Sequence, residues 1–340
     1  MGKDLRKLRV GVIGCGRISV RHIGSAMLLP QAELVAVCDV CREKAETAAK
    51  DSGATVYTDY KEMIKNENLD CVHICLPHYL HVPVAEYAFN CGLNVLSEKP
   101  MSIEYKDAEH AVKNAEEKGV LYGVIFQCRY NDASVFVKNT LDSGKLGKIK
   151  SASSILTWSR SDDYYSESDW KGTWDMEGGG VVIDQAIHSI DLVNWFIGEE
   201  TKTISASMAI RGHKGIKVED TAEGLIEYKS GIKYAFYCMN NYACDEPISI
   251  KLCCEKGKAE LSYTSAKITY SDGTVESFVE DKDAFRPKEG KEYWGYKHIR
   301  QIEQFYKACL GEEPLEISGK EALKTQKIIC EIYKEGRKSL

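Results

Sequence analysis

Short apolar runs alternate with amphipathic stretches over the first part of the chain. Residues 9–13 (RVGVI), 34–39 (LVAVCD), 71–76 (CVHICL), 94–97 (NVLS) and 122–126 (YGVIF) predict strands buried on both faces, as in a parallel sheet. Between them, residues 42–52 and 102–118 predict helices. In the latter, Tyr105, Ala108, Val112 and Ala115 recur at helical spacing behind Ser102 as a cap. Such βαβα alternation predicts an α/β Rossmann domain over residues 1–125.

Beyond about residue 145 the rhythm changes. Residues 148–158, 203–211, 221–228, 232–240, 248–254, 259–263 and 274–279 predict strands. Several are joined by turn signals at Lys229-Ser-Gly231, Lys256-Gly257 and Asp272-Gly273. The expectation for residues 126–340 is therefore an α+β domain with a large, mostly antiparallel open sheet, read as a meander. Helices are expected at 184–196, 298–310 and 319–338.

Composition narrows the function classes. At 340 residues the chain suits two domains. Lys+Arg 45 against Asp+Glu 51 gives a net charge of −6, which argues against a nucleic-acid or anionic-membrane partner. No apolar run approaches the roughly 18 residues of a spanning helix. The 13 cysteines mostly sit inside apolar runs, where a free thiol fills core space. Cys38 and Cys41 form one CxxC, short of a structural zinc set, so no metal is expected. Reduced thiols and the lack of an apolar leader point to the cytoplasm.

The first candidate chemistry is a glycine turn, Val10-Gly-Val-Ile-Gly14-Cys-Gly16-Arg17-Ile18-Ser19. Gly14 permits the tight turn, Gly16 lets backbone approach a pyrophosphate, and the helix N-terminus faces the anion. Ser19 in the third small position still allows close helix–strand packing. Asp39 ends the second strand, where a carboxylate binds ribose hydroxyls and repels a 2′-phosphate, so NAD is expected over NADP. Arg42 softens that preference, and a helix cap is the plainer role for Asp39.

Two further strand ends follow, Cys75-Leu76-Pro77-His78-Tyr-Leu-His81 and Asn94-Val-Leu-Ser-Glu98-Lys99-Pro100. With the glycine turn, their order and spacing resemble the Gfo/Idh/MocA oxidoreductases. The resemblance covers essentially the whole chain, and the Glu-Lys-Pro element is its most specific part. It implies a nicotinamide dehydrogenase acting on a secondary alcohol of a sugar, cyclitol or glycoside. Cofactor contacts are expected from Gly14, Gly16, Arg17, Ile18, Asp39, Leu76, Pro77, His81, Glu98, Lys99 and Gln127, with Tyr296 as a late tyrosine bordering the cofactor.

Glu177-Gly-Gly-Gly180-Val-Val-Ile-Asp184-Gln-Ala-Ile-His188-Ser-Ile-Asp191 carries the second set. Asp184, His188 and Asp191 share one face of a helix that is otherwise apolar, so that stripe should line a cavity. The family resemblance matches the segment to a glycine-glycine, Asp, His, Asp signature. A core histidine satisfied by a carboxylate is the plainer reading; Lys99, expected to aim from the first domain at the same cleft, favours chemistry. His188 would be the general base, Lys99 would orient the hydroxyl with Glu98 holding it, Asp184 would tune or relay the proton, and Asp191 would support them.

Aromatic residues cluster in Trp158-Ser-Arg160, Tyr164-Tyr165 and Trp170-Lys-Gly-Thr-Trp174, which suits the C–H faces of a pyranose. Substrate contacts are expected from Lys99, Arg129, Tyr130, Trp158, Arg160, Tyr165, Trp174, Asp184 and His188, although fastening a long loop explains part of the cluster. The segment resembles a subgroup acting on glycosides or sugar nucleotides, commonly at C3. The expected function is NAD-dependent hydride transfer at a secondary alcohol of a sugar, glycoside or inositol. The alternative is a glycoside-cleaving enzyme that keeps NAD bound and uses transient oxidation. The resemblance also implies a homo-oligomer, a dimer or tetramer.

Overall fold

The computed structural model describes residues 6–280 and 297–340. Its contacts divide them into two compact units, residues 6–127 with 297–323, and residues 128–280 with 324–340. The sequence pattern places one boundary at 125 and assigns everything after it to the second domain. The difference is the helix His298–Cys309, which buries Ile302, Phe305 and Tyr306 in the core of the first unit. Burying side chains of this size is worth about 1.5–3 kcal/mol each, and their stripe fits the surface left by the first strands and helix.

The first unit is a six-stranded parallel sheet of β1 (Leu8–Ile13), β2 (Ala32–Cys38), β3 (Thr55–Tyr57), β4 (Cys71–Ile74), β5 (Asn94–Ser97) and β6 (Tyr122–Val124). Its order is β3-β2-β1-β4-β5-β6. The chain direction of the crossovers reverses between β1 and β4, and a ligand crevice forms at the carboxyl ends of the strands there. The glycine turn, Leu76-Pro77 and Glu98-Lys99 all follow those ends. Only β3 escaped the pattern. It is a three-residue edge strand whose side chains are at most half-buried, too short for periodicity.

The second unit carries an eight-stranded sheet of β7 (Ile149–Thr157), β8 (Thr201–Ala209), β9 (Thr221–Tyr228), β10 (Lys233–Met239), β11 (Ser249–Cys254), β12 (Gly257–Leu261), β13 (Ser265–Tyr270) and β14 (Val275–Val279). Its order, β14-β13-β12-β11-β7-β10-β9-β8, is not a simple meander, because β7 inserts between β10 and β11 and runs parallel to β10. Strand β13, SAKITY, is not among the expected strands, and only two of its residues are buried.

The helix expected at 184–196 is two structures in series. Val182–Ala186 forms a π-helical turn, and Ile187–Ile197 continues as α-helix to Gly198. The amides entering this segment are taken by side chains rather than left open. Glu219 accepts from Gly180 N–H (2.9 Å) and Val182 N–H (3.0 Å), and the Tyr333 hydroxyl accepts from Ile183 N–H (3.0 Å). A Cβ on Gly180 would lie 1.8 Å from the Glu219 carbonyl oxygen, so only glycine fits there.

Candidate active site

The first unit builds its site from three strand ends. Gly14 has φ +94°, and a Cβ there would meet the Cys75 carbonyl at 2.3 Å. Gly16 is exposed, with nothing within 4 Å of a Cβ position, so its backbone is open to a ligand. The following helix Ser19–Leu28 has Ile18 as N-cap, without a side-chain cap bond or an acidic residue in its first turn. These are the conditions for seating a diphosphate, with Arg17 exposed beside them.

Asp39 is half-buried and bonded on both oxygens. Oδ2 accepts from Cys15 N–H (2.8 Å) and Oδ1 from Cys41 N–H (2.9 Å), which ties the glycine turn to the next helix. Each oxygen keeps a lone pair for a ribose hydroxyl. Leu76 and Pro77 are half-buried after β4. Gln127 is buried, and its Oε1 makes no hydrogen bond to the described residues. An open Gly16, an uncapped helix and this orphaned acceptor fit a nicotinamide dinucleotide.

His81, expected at the cofactor, is fully buried instead. Its Nδ1 lies 2.7 Å from the Pro100 carbonyl and its Nε2 2.8 Å from the Leu76 carbonyl. Burial pushes this imidazole down, and the two carbonyls pull the other way. A neutral ring carries one N–H, so it donates to one of these carbonyls and packs against the other, bracing the two strand ends.

Glu98 is also buried. Its Oε1 accepts from the Nε2 atoms of His22 (3.1 Å) and His298 (2.9 Å), and its Oε2 accepts from Lys99 N–H (3.2 Å). Burial pushes its carboxyl up, but the two histidines outweigh this and hold it well below the carboxylate range. Lys99 itself is half-buried. Neither His22 nor His298 was singled out in the sequence, since they lie 76 and 200 positions from Glu98.

In the second unit Asp184 is the hub. Its Oδ2 accepts from the Tyr164 hydroxyl (2.5 Å), Gln185 Nε2 (2.8 Å) and Lys171 Nζ (3.2 Å). Lys171 also donates to the Tyr164 hydroxyl (2.8 Å), covers its ring at 4.4 Å, and lies 3.6 Å from Glu177. Burial, opposed by Lys171 and reinforced by Asp184, pushes the Glu177 carboxyl up to about 8. Tyr164, Lys171 and Glu177 were not among the expected site residues. The aromatic cluster located their segment, but nothing in their spacing joins them to Asp184.

His188 is half-buried on the α-helical part of the same segment. Asp191 leaves the expected stripe. It is fully buried, accepts two bonds from Arg129 (2.8 and 2.7 Å) and one from the Thr325 hydroxyl (2.8 Å). Arg129, expected at the substrate, is thus committed to Asp191 and lies 5.6 Å over Trp195.

Other expected substrate contacts turn inward. Trp158 is buried, and its Nε1–H donates to the Glu246 carbonyl (3.2 Å). Tyr165 is buried, and its hydroxyl accepts from Asn240 Nδ2 (2.7 Å). Arg160 stacks on Trp158 at 4.9 Å and pairs with Asp245 at 3.1 Å. Their side chains are spent on partners within this unit. Trp174 is half-buried under Arg337, which lies 3.8 Å over its ring, and Tyr130 is half-buried. Tyr296 lies outside the described residues.

Fold and site define a dinucleotide-dependent oxidoreductase. The chain belongs to the Gfo/Idh/MocA family: residues 8–126 match the oxidoreductase family with an NAD-binding Rossmann fold, and residues 135–260 match the GFO/IDH/MocA C-terminal domain. It is 28% identical over 221 residues to a dTDP-3,4-didehydro-2,6-dideoxy-alpha-D-glucose 3-reductase of Streptomyces violaceoruber, covering 65% of this chain and 63% of that one. It is 26% identical over 258 residues to an inositol 2-dehydrogenase of Salmonella typhimurium, covering 75% of this chain and 74% of that one. Among solved structures, the WlbA dehydrogenase of Bordetella pertussis in complex with NADH and UDP-GlcNAcA superposes with a TM-score of 0.87 at 27% identity, covering 98% and 97% of the two chains. No helix among the described residues is long and apolar enough to cross a membrane.

Proposed function

We propose that the chain is an NAD-dependent dehydrogenase moving a hydride between nicotinamide and a secondary alcohol, of C3 type, on a sugar, glycoside or inositol. The observation carrying this reading is the unit made by Asp39 and the glycine turn. Its carboxylate is held at the end of β2 beside an open Gly16 and an uncapped helix. The sugar-nucleotide and inositol relatives support the substrate class, and the 3-reductase supports the carbon.

Bound nicotinamide supplies the carbon that accepts or donates hydride. The chain handles the proton. His188 takes it from the hydroxyl, being half-buried and of a type whose ordinary pKa lies near neutrality. Lys99 donates to the substrate oxygen and stabilises negative charge developing there. Asp184, tethered by Lys171 and Tyr164, keeps a fixed acceptor on the same segment as His188. The protein works as a homo-oligomer in the cytoplasm on this reading.

A panel of inositols, aldoses, glycosides and sugar nucleotides with NAD and NADP tests it, read by absorbance of the reduced cofactor. Stoichiometric NADH from at least one member is expected. Lys99→Ala and His188→Ala should each lower kcat by about 10²–10⁴-fold. If both keep near-normal turnover, the assignment is wrong.

A further inference from the structure

We infer that Glu98 is a positioning residue for Lys99, clamped by a cradle of buried histidines that fixes the lysine's backbone on both sides. The inference rests on the catalytic reading of Lys99 given above. Four of the chain's eight histidines, His22, His73, His81 and His298, surround the segment Glu98-Lys99-Pro100, and each is at most 2% exposed. On the amino side of Lys99, the Glu98 carboxylate accepts the lysine's own N–H and is itself held by His22 and His298. On the carboxyl side, the Pro100 carbonyl lies against the buried His81 ring, 2.7 Å from its Nδ1. The residue between the two clamps is the half-buried lysine.

The tautomers follow from the pairing. Glu98 can only accept, so His22 donates through Nε2–H, and its Nδ1 then accepts from His73 Nδ1–H at 3.0 Å. The remaining atom, His73 Nε2, is a bare lone pair that makes no hydrogen bond among the described residues. His73 stacks on Tyr306 at 5.5 Å and meets Phe305 edge-on at 6.1 Å. The chain of hydrogen bonds therefore ends inside the aromatic core. It has no outlet for a proton, so it holds geometry.

Simple core filling does not account for the arrangement. Taking a carboxylate out of water is costly, and an apolar set of the same volume would avoid that cost. What an apolar set cannot do is reach the N–H of residue 99. The groups facing Glu98 come from three elements: His22 on the helix Ser19–Leu28, His73 on β4 with Cys75 just after it, and His298 on the helix His298–Cys309. One ligand atom from each of His22, Glu98 and His298 lies within 4.8 Å of the others, which is also the spacing of a metal site. The two contacts onto a single oxygen at 3.1 and 2.9 Å are those of N–H donors.

The test uses the full chain with Glu98→Gln, whose amide cannot accept from both histidines and from Lys99 N–H. Lysines are reductively methylated with ¹³C, the Lys99 resonance is assigned through Lys99→Arg, and its chemical shift is followed by NMR without substrate. The expected result is a displaced Lys99 resonance in a protein that still folds. With a substrate found in the panel, kcat falls about tenfold or more at nearly constant KM. In a Lys99→Ala background the same change costs nothing further. An unchanged Lys99 resonance and unchanged kcat in folded Glu98→Gln protein overturn the inference.

If Glu98→Gln does not fold, His298→Gln and His298→Met replace it. Glutamine keeps a donor for Glu98 and should leave the Lys99 resonance in place, whereas methionine should displace it; equal behaviour of the two overturns the inference. Stoichiometric transition metal in the purified protein, lost with His298→Met, overturns it as well. If no panel member is turned over, the functional reading fails while the Lys99 resonance still decides the positioning role.

Discussion

Two carboxylates stand beside the residues given proton-handling roles, and the protein holds them by opposite means. Glu98 is buried among imidazole N–H donors drawn from positions 22 and 298. Asp184 is half-buried and held by an ammonium, a phenol and an amide drawn from the single stretch 164–185. Donor N–H groups converging on one acid keep it ionised: Glu98 sits well below its usual 4.5 despite burial. In the second unit Glu177 and Asp184 share one ammonium, Lys171, and the surplus acid keeps its proton, with Glu177 pushed up to about 8. Neutral donors thus keep one buried acid ionised, whereas two acids crowded on one cation leave a proton on the other.

Removing the shared cation should have the largest effect. The Lys171 side chain is 8% exposed and contacts both Glu177 and Asp184, so Lys171→Met leaves two acids near each other without their ammonium. Breaking a buried pair of this kind costs about 3–5 kcal/mol. Guanidinium unfolding should show this loss, and adding Glu177→Gln should recover part of it. A loss below about 1 kcal/mol would break the comparison, because Asp184 would then be held by Tyr164 and Gln185 alone.

The pH dependence sharpens the same contrast. Burial pushes Glu219 up to about 7, against the pull of Val182 N–H, Tyr333 and Gly180 N–H. Between its usual 4.5 and about 7, the folded chain keeps a proton that the unfolded chain has released. Stability therefore falls as pH rises through that window, by about 3 kcal/mol for this group. Glu98 has the opposite sign: its contribution is present above 4.5 and is lost as pH drops below it. Urea unfolding from pH 4 to 8 should show the descending limb, and Glu219→Gln should flatten it. A limb of unchanged slope in that variant would mean Glu219 is ionised in the folded state.

Much of the first unit was legible because its chemistry sits on strand ends, where a glycine turn, Asp39 and Glu98-Lys99-Pro100 each announce themselves locally. The histidine cradle was not, since its members are joined only by the fold: His298 reaches Glu98 because Ile302, Phe305 and Tyr306 carry their helix back into the first core. In the second unit, the Asp184 and His188 segment was found by spacing, but its geometry was not. The 3.6-residue period assumes an α-helix, and the π turn at Val182–Ala186 breaks it between Asp184 and His188, while Asp191 on the regular helix beyond is buried on Arg129. Aromatic clustering located the loop around Asp184 and misjudged its rings, because composition does not distinguish a ring facing solvent from one, like Trp158, whose N–H is spent on a carbonyl.

The smallest expected effect concerns the cofactor preference and tests whether the first unit's other carboxylate is also a clamp. Asp39 accepts two backbone N–H bonds, which order the turn, and has one free lone pair on each oxygen, so the proposed ribose contact would be made by the same carboxylate. Asp39→Ala should weaken NADH binding by about tenfold through both losses, a change of about 1.4 kcal/mol. NADPH binding should improve by less than that, because the loosened turn offsets the relief of charge repulsion. Arg42, with a side chain 63% exposed and 3.6 Å from Glu46, is the nearest cation in sequence for a 2′-phosphate. Titrations of the two reduced cofactors by fluorescence separate the parts. A variant that loses NADH affinity while gaining NADPH affinity in equal measure would show that Asp39 acts by charge alone. If the unaltered chain already binds both cofactors equally, Asp39 is a clamp and nothing more.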